Sequence, residues 1–157
     1  MSFKATAKSN FKGLTAFKKK LKTLDGSKVT VGYFSEQKHP DIDMNLAELA
    51  YIHENGTPQI PQRDFMTQSW DNWVRGYAKG SLAKVANDYL FYGKKLRPIL
   101  KEQGLAVKWM IDWTVEVAGD FTPNSPKTIA EKFGDSPLID SGYLKANAKV
   151  KVTFNGK

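Results

Sequence analysis

The chain has 157 residues, of which 41% are hydrophobic and 25% charged, and its formal net charge is +8. That length suits one domain, which buries roughly two thirds of the surface its unfolded chain exposes. The absence of cysteine excludes disulfides and thiolate metal sites, and no apolar run reaches the roughly 18 residues that span a membrane. The first residues lack the apolar core of a secretory signal. Charge is unevenly spread. Residues 1–28 hold eight lysines and one aspartate, and residues 144–157 hold four lysines and no acid. The stretch 29–143 has 12 basic and 15 acidic residues, so an acidic body lies between two basic ends. Such ends meet polyanions or act as solvated tails.

In chain order, residues 9–24 read as a basic amphipathic helix. Phe11, Leu14, Phe17 and Leu21 line one face, and Lys18, Lys19, Lys20 and Lys22 cluster near its C-terminal end. Asp25-Gly26 stops it. Val29, Val31 and Tyr33 alternate within a strand over 28–34. Residues 35–43 form a polar loop containing Pro40. A short helix over 46–55 places Leu46, Leu49, Ala50 and His53 on one face, with Gly56 as its C-terminal stop. Pro58 and Pro61 force 57–62 into an extended path. Helices follow over 64–79, 81–92 and 98–118. The first carries a stripe of Met66, Trp70, Trp73, Val74 and Tyr77, and Pro98 opens the third. Ser125-Pro126 caps a helix over 126–133 that Gly134 ends. Ala146, Ala148, Val150, Val152 and Phe154 alternate in the final strand. Two strands alone are marginal, so they pair with each other or a short third strand under helices. The fold class expected is α+β: a small, mostly antiparallel sheet packed by several helices. A basic helical segment, residues 1–27, precedes one domain of residues 28–157.

Reactive constellations are weak. His39, Asp41 and Asp43 alternate in a loop without the ligand number a metal site needs. His53-Glu54 begins like a zinc-protease helix, but Thr57 stands where the second histidine belongs. Asp112, Glu116 and Asp120 recur every fourth residue and read as a solvated face or a partner surface for lysines. Trp70, Trp73 and Tyr77 can stack bases, but their helical spacing suits a core that continues outward as a subunit interface. No catalytic residue, cofactor or metal is assigned.

Four segments carry a resemblance. They are His53-Glu54-Asn55-Gly56-Thr57, then Ile60-Pro61-Gln62-Arg63-Asp64-Phe65, then Thr122 to Ile129, and last Pro137-Leu138-Ile139-Asp140-Ser141-Gly142-Tyr143-Leu144. In this order the chain resembles the neck and tail-completion proteins of long-tailed bacteriophages, including the Mu-like virion-morphogenesis proteins. Asn55 stands where the family usually has an aromatic, and Ser141 replaces a threonine.

The resemblance implies a non-enzymatic virion protein at the neck or head-proximal tail, present in host cytoplasm during assembly. It implies a homo-oligomeric ring, a hexamer or dodecamer, that completes the tail or neck for head–tail joining. Neighbouring portal or connector and tail-tube or tail-terminator proteins, and duplex DNA in the channel, are its implied partners, with no membrane. His53, Glu54, Gly56, Arg63, Phe65, Asp140 and Gly142 are the expected motif or subunit-contact residues. The physical reading of these residues favours fold maintenance: Asp140-Ser141-Gly142 as turn chemistry, and Arg63 as a fork for a carboxylate on the same chain or a neighbour. Lys18, Lys19, Lys20 and Lys22 are expected to face DNA or an acidic partner. The alternative is a stand-alone basic DNA-binding protein.

Overall fold

A computed structural model describes residues 11–131, 135–139 and 142–155. The chain is α+β. Strands β1 (Ser27–Gly32) and β2 (Lys149–Phe154) pair antiparallel, with Val29 opposite Val152 and Val31 opposite Val150. Helices cover one face of this small sheet. They are α1 (Lys12–Asp25), α2 (Leu46–Asn55), α3 (Phe65–Trp73), α4 (Lys79–Leu90), α5 (Leu96–Trp113), α6 (Pro126–Glu131) and the one-turn α7 (Tyr143–Ala146).

Helix α5 is the central element. It packs on both strands and on α3 and α4. Leu96, Ile99 and Leu100 at its start join Val85 in one apolar cluster, supported by Leu24, Val29, Val152 and Phe154. Ile111 at its end joins Leu46, Phe65, Val115, Leu138 and Leu144 in another. Gly104 lies between them because a Cβ there would come within 2.2 Å of Val150 Cγ1 and 2.9 Å of Val29 Cγ1. Its missing side chain lets the helix reach the sheet.

Several boundaries differ from the sequence reading. The stretch 64–92 contains no break near Gly80. Instead α3 and α4 run on through a π-helical turn over Val74–Ala78. A π turn adds one residue, which rotates the helix beyond it by about 100°. Val85 lies twelve residues after Trp73, so on a straight α-helix it would stand about 120° away; the extra residue returns it to within about 20°. Both are buried. A second π turn, Thr114–Ala118, ends the α5 rod. Helix α5 begins at Leu96, so Pro98 sits third in the first turn rather than opening it. The first strand stops at Gly32, and α7 occupies Tyr143–Ala146, so β2 starts only at Lys149. The 64–79 stripe also splits. Trp73 is buried with Phe65 and Ser69, while Trp70, Val74 and Tyr77 are exposed.

Helix α1 packs against α4 and buries none of its residues. Phe11, Leu14 and Leu21 on its apolar face stay exposed, and Phe17 meets Phe91 at 6.2 Å between ring centroids. Residues 9 and 10 of the expected helix, Gly134 as a stop, and Asp140-Ser141 lie outside the described residues.

Candidate functional site

The four motif segments meet around a cleft of about 400 Å³, lined by His39, His53, Arg63, Asn124, Gly142 and Tyr143 among others. Asn45 caps α2 by accepting from Glu48 N at 2.9 Å, which sets the helix that carries His53 and Glu54. Glu54 then reaches across to the start of α3. Its carboxylate accepts from Met66 N at 2.9 Å and from Thr67 N at 3.0 Å, satisfying two amides that a helix start leaves unpaired. A negative charge there also suits the helix dipole.

Gly56 closes α2 at φ 73°, and a Cβ would lie 2.8 Å from Gln62 N. The Thr57–Ile60 loop folds back through paired backbone bonds, with Thr57 Oγ1 accepting from Ile60 N at 3.0 Å. This strap delivers Arg63, whose N–H donates to His53 O at 2.7 Å, and Phe65, which is fully buried 6.1 Å from the Tyr33 ring.

Arg63 is buried, and its fork departs from the same-chain half of the expectation. It holds no carboxylate among the described residues. Nε donates to Thr122 O at 3.1 Å and Nη2 to Asn124 Oδ1 at 3.0 Å. Burial holds its pKa below the ordinary arginine value. Asn124, also buried, donates onward to Asp135 O at 2.8 Å. Ser125 Oγ accepts from Thr128 N at 3.2 Å and caps α6. Arg63 thus ties the first motif pair to the third segment.

The last segment adds Gly142 at φ 73° and the Tyr143 ring, which meets His39 edge-on at 5.1 Å. Leu138 holds φ 63°, an unfavourable conformation for a branched residue, and its side chain is buried in the core. Asp140 falls outside the described residues.

The other sequence candidates disperse. His39 Nδ1 accepts from Asp41 N at 3.2 Å, and no group of three or more metal-ligating side chains occurs among the described residues. Asp112 pairs with Lys108 at 2.8 Å and Glu116 with Lys145, while Asp120 lies beyond the helix end. Burial first, and Asp112 second, raise the pKa of the Tyr33 phenol. Lys20 turns inward, donating to Tyr89 O at 3.3 Å and Leu90 O at 3.2 Å, whereas Lys18, Lys19 and Lys22 are exposed. No helix among the described residues is long and apolar enough to cross a membrane.

A second concavity escapes the motif reading. A groove of about 670 Å³ runs along β1 from Ser27 to Val31, walled by α3 and α4 and floored by α5. Its one sequence signal is Gln103, a polar residue within the apolar Ile99, Leu100, Val107 face. The chain matches no family model, no curated protein and no solved structure.

Proposed function

We propose that this chain is a structural virion protein. It forms a ring at the head–tail junction or the head-proximal tail end, and it completes the neck or tail for head–tail joining and DNA passage. One observation carries this reading: the four resemblance segments converge on one cleft, where their residues cap, turn and tie the scaffold. Glu54 caps α3, Gly56 permits the strap, and Arg63 grips the Thr122–Asn124 loop. These are roles a rigid ring subunit needs. The unburied apolar face of α1 and the exposed Trp70 and Tyr77 are surfaces that such an assembly covers.

The test is electron microscopy of particles assembled without this protein. Full heads beside free tails are expected. Heads and tails that join normally without it overturn the proposal.

A further inference from the structure

The groove beside β1 has unused hydrogen-bonding capacity. Asn155 N donates to Gly26 O at 2.6 Å, so that pair is hydrogen-bonded, and the antiparallel register makes Lys28, Thr30 and Gly32 the next residues bonded to β2. Val29 and Val31 therefore turn their backbone N–H and C=O away from β2 toward the groove, where they find no backbone partner among the described residues. Two polar atoms of groove-lining side chains are also sealed from solvent without a hydrogen-bond partner among the described residues. They are Trp73 Nε1, a donor on a residue 7% exposed, and Gln103 Oε1, an acceptor. Unpaired backbone N–H and C=O groups along an open strand edge in an apolar slot match a peptide backbone. An acyl chain would leave all of them unpaired.

We propose that this groove is the strand-acceptor site for residues 1–9 of a second copy of the chain. That sequence alternates: Met1, Phe3, Ala5 and Ala7 on one side, and Ser2, Lys4, Thr6 and Lys8 on the other. It is the pattern of a strand with one apolar face. The chain's own copy is poorly placed. Helix α1 spans about 21 Å between this segment and the groove, so returning would consume about six residues. A partner's β2 is also a poor occupant, because Arg97 Nη1 donates to Val152 O at 3.0 Å and covers the outer edge of that strand.

An arm of one copy in the groove of the next is a head-to-tail contact, the kind that closes rings. The inference therefore rests on the ring reading and supplies its subunit contact. Its test uses purified protein, so it can fail while the virion role stands.

Light scattering on three full-length chains decides it. Wild type is expected above the monomer mass of 17.6 kDa. Phe3→Asp removes the apolar anchor of the arm. Leu82→Arg places a cation at the exposed groove rim, against an arm carrying Lys4 and Lys8. Each variant alone is expected to be a monomer. Mixed one to one, they are expected to form a dimer and nothing larger, since only the arm of the Leu82→Arg chain meets an intact groove. A monomeric wild type, either variant at wild-type mass, or a mixture that stays monomeric overturns the proposal. The recovered dimer also shows that both variants fold.

Discussion

Arg63 is a buried cation held by neutral acceptors. Its charge is desolvated without a counter-charge among the described residues, which costs stability unless every nearby hydrogen bond is made. Thr122 O and Asn124 Oδ1 accept from it and gain only because the fork fits their spacing. Arg63→Ala would leave the buried Asn124 Oδ1 without this donor and untie the strap from the Thr122 carbonyl. A loss of about 3 kcal/mol is expected from urea unfolding, and Arg63→Lys recovers little, since an ammonium has no planar fork. A Lys variant with wild-type stability would show that charge alone matters. The rigid delivery of Arg63 was legible in the sequence, because prolines bound the strap that precedes it. The partner was not. Two of its acceptors, Thr122 O and the more distant Pro123 O at 3.5 Å, are backbone carbonyls, which leave no mark on a sequence, and the third, Asn124, lies sixty-one residues away. Glu54 was hidden in the same way: its spacing within α2 says nothing about the helix start it caps.

At the scale of elements, what can be read from local pattern is present and what depends on long-range packing is not. Helix α2 follows from its apolar spacing and Gly56, and β2 follows from alternation. The π turn at Val74–Ala78 has no such signal. Gly76 and Gly80 resemble breaks, yet a Cβ at either would meet nothing, so they are tolerated residues rather than stops. The rotation that the π turn supplies is dictated by burying Val85 against α5. Gly104 shows the reverse: a glycine in mid-helix that reads as a weak boundary and is in fact the contact point between α5 and the sheet. Gly104→Ala should gain up to about 1 kcal/mol of helix propensity. It should lose about 1–3 kcal/mol from crowding two stiff valines. A net fall in unfolding free energy is expected, larger for Gly104→Val. A stabilised alanine variant would show that α5 can shift outward without cost.

For the whole molecule, the question is where the net charge of +8 is free to act. The basic C-terminal end is half spent inside the chain, since Lys145 pairs with Glu116 and Lys151 with Glu36, while Lys149 is exposed and makes no ion pair among the described residues. On α1, Lys20 is committed to the α4 carbonyls. On α1 itself, that leaves Lys18, Lys19 and Lys22 exposed without an ion pair among the described residues. In the proposed ring, taken as a hexamer ~30 Å tall, the channel would face about 18 phosphates of duplex DNA, and six copies of three lysines would supply about 18 cations. Such a lining balances the duplex without a large excess, which suits DNA that must slide through. A stand-alone DNA-binding protein needs more contacts from each chain. The salt dependence of duplex binding separates the two. Three phosphate contacts per bound chain give a slope of about −2.7 in log K against log salt. Lys18→Gln, Lys19→Gln and Lys22→Gln together should bring it near zero. A slope per chain of about −6 or steeper, surviving the triple substitution, would mean cations elsewhere hold the DNA and would favour the stand-alone reading.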